Sequence, residues 1–180
     1  MKKIIIFLTM FGFFSNASAN YTQLAYDFQF KGIDGQMINL SDFKNKVIVV
    51  VNVASRCGFT NQYSDLQALW ASYQNKDLIV LGIPTNDFKQ EPRSNNDIKD
   101  FCKTNFDIDF PMSEKTSVIG KNSHPFFKWA KENHGKSAVP KWNFHKIVVG
   151  KDGKIADTFA SITKPSSKRF IDSIDNIIKN

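Results

Sequence analysis

The 180-residue chain contains only two cysteines, six prolines and nine glycines, and each scarcity excludes something. Two cysteines cannot staple a small disulfide scaffold, and no Cys/His cluster has the spacing of a zinc site. A Cys-x-x-Cys redox turn is missing, because Thr60 stands where a partner for Cys57 would be. No glycine-rich phosphate loop or dinucleotide fingerprint occurs, so no cofactor is expected. No internal repeat, low-complexity tract or Pro/Gly/Ser linker interrupts residues 20–180, which read as a single domain. There is no one-signed charge block either. The formal charge of +7 comes from 24 Lys and Arg against 17 Asp and Glu spread along the chain, and even the Lys-rich stretch Lys141 to Lys154 includes acidic and apolar residues. That distribution describes a solvated surface, with no nucleic-acid partner.

Hydrophobic residues make up 42% of the chain, enough for a core of useful size. One long apolar run stands at the start. Lys2-Lys3 precede Ile4 to Phe14, and Ala17-Ser18-Ala19 follow. A charged start, about a dozen apolar residues and an A-x-A end describe a cleavable secretory signal over 1–19. The run is shorter than the ~20 apolar residues of a spanning helix. Cleavage would remove Lys2 and Lys3 and send a secreted or periplasmic protein into an oxidising compartment, where two thiols can pair.

Asp27 to Phe30 and Gln36 to Asn39 flank the turn dipeptide Asp34-Gly35 and predict an N-terminal β-hairpin. Val47 to Val53 is a β-branched run without polar alternation, the mark of a strand buried on both faces. Tyr63, Leu66, Leu69, Trp70 and Tyr73 recur at helical spacing, and Leu78 to Leu81 forms the next buried strand before Pro84. These three make a βαβ unit. Ser94 to Asp97 has the form of a capping box before a helix carrying Ile98, Phe101 and Cys102. Ser123-His124-Pro125 opens another helix. Phe144 to Val149 and Ile155 to Phe159 are strands joined across Gly150 to Gly153, and a last helix carries Phe170, Ile171, Ile174, Ile177 and Ile178. The order predicts an α/β fold: a thioredoxin-like sandwich with a central mixed β-sheet, flanking helices and the hairpin in front.

Cys57 lies in Asn52 to Thr60, between the carboxyl end of a buried strand and the start of a helix, the edge where reactive groups of open α/β sheets gather. Free N–H groups and the helix dipole there favour a thiolate, the nucleophilic form. By position alone the thiol reads as either inert or catalytic. His124, His134 and His145 are scattered and read as surface or core residues. On the residues alone, Trp142 reads as a buried strand aromatic and Asn143 as a strand-edge turn residue.

Five blocks in order resemble the glutathione peroxidase family: Asn52-Val53-Ala54-Ser55-x-Cys57-Gly58-x-Thr60; Pro84-x-Asn86-x-Phe88 with Gln90-Glu91-Pro92; Phe110-Pro111-Met112; His124-Pro125; and Trp142-Asn143-Phe144. The resemblance implies a thiol-dependent peroxidase that reduces hydrogen peroxide and organic or lipid hydroperoxides through Cys57. It also implies a Gln, a Trp and an Asn as companions of the nucleophile. Trp142 and Asn143 match two of these, and their N–H groups can donate to a sulfur anion. Asp87 occupies the Gln position, and one residue is missing before Gln90. An ionised Asp87 near sulfur would oppose the thiolate, whereas a protonated one could donate as the amide does.

Members that use thioredoxin resolve the sulfenic acid with a second cysteine on the helix after the Gln-Glu-Pro loop. Cys102 lies in that region, one residue earlier than in the plant thiol peroxidases, and one residue on a helix turns a side chain by about 100°. It reads either as the resolving thiol or as a small buried hydrophobe. The stretch between the His124-Pro125 helix and Trp142 lacks the long insertion of the tetrameric members, which implies a monomer with an open site. Phe59 and Phe88 are candidate apolar contacts for a bulky hydroperoxide. The reductant expected is a thioredoxin-like protein or a low-molecular-weight thiol. Two further readings stand beside the enzyme: a peroxide sensor or partner-binding protein with little turnover, and an exported domain with a static Cys57 to Cys102 disulfide.

Overall fold

The computed structural model describes residues 21–73 and 76–179. The export segment 1–19 lies outside the described residues.

The first strands, β1 (Gln29–Lys31) and β2 (Met37–Asn39), pair antiparallel as a separate two-stranded sheet, with Gly35 at φ +88° in the turn. The run Val47–Val53 is β3, and all seven residues are buried. It is followed by α1 (Gln62–Tyr73) and β4 (Leu78–Pro84), which lies parallel to β3 with Val47 opposite Leu78 and Val53 opposite Pro84. Next come α2 (Asn95–Phe106), α3 (Pro125–His134), β5 (Lys146–Val149), β6 (Ile155–Phe159) and α4 (Lys168–Lys179). The main sheet has the order β4-β3-β5-β6, with β3–β5 and β5–β6 antiparallel. This is the mixed sheet predicted from the element order.

The alternation of side chains along β3 divides the interior into two layers. Val47, Val49, Val51 and Val53 face one core with Tyr63 and Leu66 of α1, Ile98 and Cys102 of α2, and Phe170 and Ile174 of α4. Ile48 and Val50 face the other, with Phe126, Phe127 and Trp129 of α3 and Phe28 and Phe30 from the amino-terminal region. Each such side chain contributes about 1.5–3 kcal/mol by leaving water.

The helix starts are chemically specified. The Ser94 hydroxyl accepts from the Asp97 N–H at 3.2 Å, while the Asp97 carboxylate accepts from the Ser94 N–H at 3.4 Å, completing the expected capping box of α2. At α3, His124 Nδ1 accepts from the Phe126 N–H at 3.3 Å and Pro125 takes the first helical position. One boundary differs from expectation. The fifth strand begins at Lys146, because Phe144 sits in the left-handed region at φ +64° and donates its N–H to Asn52 O at 2.6 Å. The segment from Trp142 to His145 is therefore a turn clamped to the end of β3.

Candidate active site

Three loops meet at the carboxyl end of β3: the Cys57 loop, the 86–93 loop after β4, and the turn before β5. The first is closed by its own threonine. The Cys57 N–H donates to Thr60 Oγ1 at 3.0 Å, and that hydroxyl lies 2.7 Å from Cys57 O and 3.1 Å from Ala54 O as a donor. Cys57 is a free thiol, 8% exposed, and its Sγ accepts the Phe59 N–H at 3.4 Å.

The second loop latches onto the first. Fully buried Glu91 accepts the Ser55 N–H at 2.7 Å and the Ser55 hydroxyl at 2.6 Å. Arg93 donates to the same Ser55 hydroxyl while its guanidinium lies 4.5 Å over the Phe101 ring. The Arg56 N–H donates to Gln90 O at 3.1 Å, and the Glu91 N–H to Asn86 Oδ1 at 3.0 Å. Ser55 and Arg56, which precede Cys57, are thus pinned to Gln90 and Glu91.

Asn52 fixes the third loop. Its amide donates to Trp142 O at 3.1 Å and accepts the His145 N–H at 3.1 Å. Asn143 is fully buried and donates from Nδ2 to Gln90 Oε1 at 3.2 Å, while its Oδ1 has no partner among the described residues. Trp142 is 39% exposed, so it is not the buried strand aromatic its sequence context suggested, and its ring centroid lies 5.4 Å from that of Phe88. Cys57, Trp142 and Asn143 are carried to one sheet edge by loops that bond to each other. Neither Trp142 nor Asn143 hydrogen-bonds Sγ in the resting arrangement, where the donor is Phe59.

The expectation for Asp87 is corrected. Its carboxylate accepts from the Val118 N–H at 2.6 Å, the Ile119 N–H at 3.1 Å and the Ser117 hydroxyl at 3.2 Å, so it serves the 117–119 turn and is not the companion of sulfur. Three donors satisfy the charge there and leave it no reason to turn toward an anion. The amide in contact with Asn143 belongs to Gln90. The Gln90-Glu91-Pro92 block was visible in the sequence, but the roles of Gln90, Glu91 and Arg93 depend on contacts across more than thirty residues.

Cys102 rides on α2 in the same apolar layer as Cys57, 2% exposed and also a free thiol. Burial pushes its pKa up to about 11, against the steadying effect of the Tyr63 hydroxyl beside it. That hydroxyl is itself buried and makes no conventional hydrogen bond among the described residues. The Tyr63 ring contacts Phe106, at the end of α2, at 5.2 Å between centroids, and Phe144 at 5.4 Å, so it stands between α2 and the turn before β5. Cys102 also lines a cavity of about 500 Å³ with Ile33, Met37, Phe110 and Met112. A static Cys57 to Cys102 disulfide is not present. Of the histidines, His124 caps α3 and stacks on Phe30 at 4.1 Å, and His145 is buried before β5. Among the described residues there is no group of three or more His, Cys, Asp or Glu able to hold a metal ion.

Comparison with known proteins shows the family and the fold. The family model described as glutathione peroxidase matches residues 25–131. A hydroperoxy fatty acid reductase from Synechocystis is 42% identical over 158 residues, covering 83% of this chain and 92% of that protein. A glutathione peroxidase-like peroxiredoxin from Saccharomyces cerevisiae is 41% identical over 147 residues, covering 79% of this chain and 90% of the relative. The crystal structure of Trgpx in its apo form superposes with a TM-score of 0.70 at 34% identity, over 89% of this chain and 98% of that one. A putative protein disulfide isomerase from Bacteroides thetaiotaomicron, at 17% identity and a TM-score of 0.60, shares the thioredoxin-type fold.

Proposed function

The chain belongs to the glutathione peroxidase family, and from that premise we propose that Cys57 is its peroxidatic thiol, Cys102 its resolving thiol, and Gln90, Asn143 and Trp142 the groups around the reacting sulfur. Thiol-dependent reduction of hydroperoxides is the activity. The observation that carries the assignment of Cys57 is the Phe59 N–H at 3.4 Å from its Sγ, in a loop held by Thr60 and Glu91.

The Cys57 thiolate gives an electron pair to the terminal oxygen of the hydroperoxide. A sulfur–oxygen bond forms, the oxygen–oxygen bond breaks, and the other oxygen leaves as alcohol or water after taking a proton. The sulfenic acid on Cys57 is then attacked by the Cys102 thiolate, which forms the disulfide and releases water. An external dithiol supplies the two electrons and two protons that regenerate both thiols. Attack by Cys102 requires α2 to loosen, because a thiol with its pKa near 11 and 2% exposure is not a nucleophile in place.

The sensor reading rested on loss of the family's amide donor; the Gln90–Asn143 contact, which brings an amide to that edge, supports the enzyme instead. The half-exposed Trp142 and the adjoining Phe88 support a bulky organic hydroperoxide as substrate. The region between α3 and Trp142 holds a single 3-10 turn, Gly135–Ala138, which supports a monomer with an open site. The signal pattern over 1–19 supports export and hence a thioredoxin-like reductant outside the cytosol.

The test is the intact mass of the reduced protein after one equivalent of an organic hydroperoxide. Loss of two hydrogens in the parent, with added oxygen only in Cys102→Ser and no change in Cys57→Ser, is expected. Added oxygen without a disulfide in the parent would make Cys102 structural, and an unreactive Cys57 would overturn the reading.

A further inference from the structure

The helix that carries Cys102 is lightly held. Of the twelve residues of α2 only Ile98 and Cys102 are buried, against four each in α1 and α3. It also rests on the half-buried rings of Phe101 and Phe106 and, at its start, on the Ser94 cap. A helix with so few buried contacts opens locally at a small fraction of the cost of unfolding the domain.

One side chain joins this helix to the Cys57 loop. Arg93, the residue before the cap, donates from its guanidinium to the Ser55 hydroxyl and lays the same group 4.5 Å over the ring of Phe101, the neighbour of Cys102. Arg93 makes no ion pair among the described residues, so its charge rests on these two contacts. Both ends are anchored. Lys115 donates from Nζ to Arg93 O at 2.7 Å and from its N–H to Asn95 Oδ1 at 2.9 Å, while Glu91 fixes Ser55. A planar cation held between a fixed hydroxyl and an aromatic face acts as a strap, because it must give up the ring before the second turn of α2 can leave.

On the reading of Cys102 as the resolving thiol, we propose that Arg93 is a positioning residue for the second half of the reaction: it keeps α2 closed and so sets how long the Cys57 sulfenic acid lasts before Cys102 reaches it.

In that step the Cys102 sulfur gives an electron pair to the Cys57 sulfur. The sulfur–sulfur bond forms as the sulfur–oxygen bond breaks, and the departing hydroxyl leaves as water with the Cys102 proton. Arg93 takes no part in these bond changes; it controls arrival. Slow arrival leaves the sulfenic acid open to an external thiol, which condenses with it to a mixed disulfide and water. The strap therefore divides the flux between an internal disulfide and capture from outside.

Electrostatics pull the other way, which separates a strap from a charge effect. Burial pushes the Cys102 thiol up to about 11, and the Tyr63 hydroxyl and the Arg93 charge oppose that rise. Loss of the charge alone makes Cys102 less reactive, whereas loss of a strap makes it more so.

The experiment compares Arg93→Met, Phe101→Leu and the double variant. Alkylation of Cys102 by iodoacetamide, in reduced protein carrying Cys57→Ser, reads the opening of α2 without peroxide. A rate about fivefold higher is expected in each single variant, with no further gain in the double, because either change undoes the same contact. With Cys57 restored, one equivalent of an organic hydroperoxide is added in the presence of dimedone, which traps sulfenic acids. The disulfide share should rise and the dimedone adduct on Cys57 fall in Arg93→Met, with the first oxidation step unchanged. Unchanged or slower alkylation in Arg93→Met, or effects that multiply in the double variant, would overturn the strap while leaving Cys102 as the resolving thiol. A parent that forms no disulfide would overturn the role of Cys102 and this assignment with it.

Discussion

Asn143 donates its side-chain N–H to Gln90 Oε1 at 3.2 Å across 53 residues of sequence, while Asp87, three residues before Gln90, turns its carboxylate onto the Val118 and Ile119 N–H groups. On the proposed reading the Gln90 amide nitrogen is a donor at the site, while Asp87 holds the 117–119 turn. Gln90→Ala should slow the oxidation of Cys57 by hydroperoxide by about 10²-fold with little change in thermal midpoint. Asp87→Asn should do the reverse, with a loss of about 1–3 kcal/mol of stability and a nearly unchanged oxidation rate. Stopped-flow measurements of Cys57 oxidation, together with urea unfolding, separate the two. Equal rate losses in both variants would contradict the division of labour.

Glu91 is a fully buried carboxylate whose two oxygens serve Ser55, two residues before Cys57. Glu91→Ala strands the Ser55 N–H and removes the acceptor of its hydroxyl in the interior, and a loss of about 1–3 kcal/mol is expected. Glu91→Gln keeps an acceptor for the N–H and should lose less. Urea midpoints of the two variants provide the check.

Resolution should be limited by the opening of α2. Ser94→Ala removes the hydroxyl that accepts the Asp97 N–H and weakens the helix start by about 1 kcal/mol. The expected result is faster disulfide formation after a sulfenic acid has formed, by a factor of about 5, and an unchanged first oxidation step. A slower second step would mean that Cys102 acts from the folded helix.

Buried Lys146 links stability to pH. Burial lowers its pKa to about 7 from the ordinary 10.5, so between those values the unfolded chain binds a proton that the folded chain does not. Stability should therefore rise with pH from about 7 toward 10.5, and Lys146→Met should flatten that rise. Cys102 acts oppositely: its thiol is raised from 9.0 to about 11, so the folded chain keeps a proton the unfolded chain loses, and stability falls in that window. The interval from pH 7 to 9 isolates the lysine, and thermal midpoints of parent and variant across it are the measurement.

The main elements were legible because their signals are local. The valine run of β3, the helical spacing of Tyr63, Leu66 and Leu69, and the Ser94 capping box each specify their own structure. The place of Cys57 between a buried strand and a helix was legible from position, and its candidacy as nucleophile, with Trp142 and Asn143 beside it, only from the family blocks. What was hidden depends on distance in sequence. Asp87 looked like a substitute for the amide because nothing in the chain shows that the N–H groups at 118 and 119 turn toward it. Phe144 looked like the first residue of a strand, and the clamp by Asn52 that forces its positive φ lies 92 residues earlier. Lys146 looked solvated, as lysines usually are, yet Gln62 and Thr163 enclose it.

The clamp by Asn52 also makes the site depend on parts of the chain that are remote from each other. Asn52 and the residues it holds, Trp142 to His145, stand far apart in the chain, and the Ser55 latch waits on Glu91. On the reading proposed above, a chain still missing its last third keeps Cys57 and the Phe59 N–H beside it but lacks Trp142 and Asn143. The proposed site therefore belongs to the whole chain and to no single segment of it.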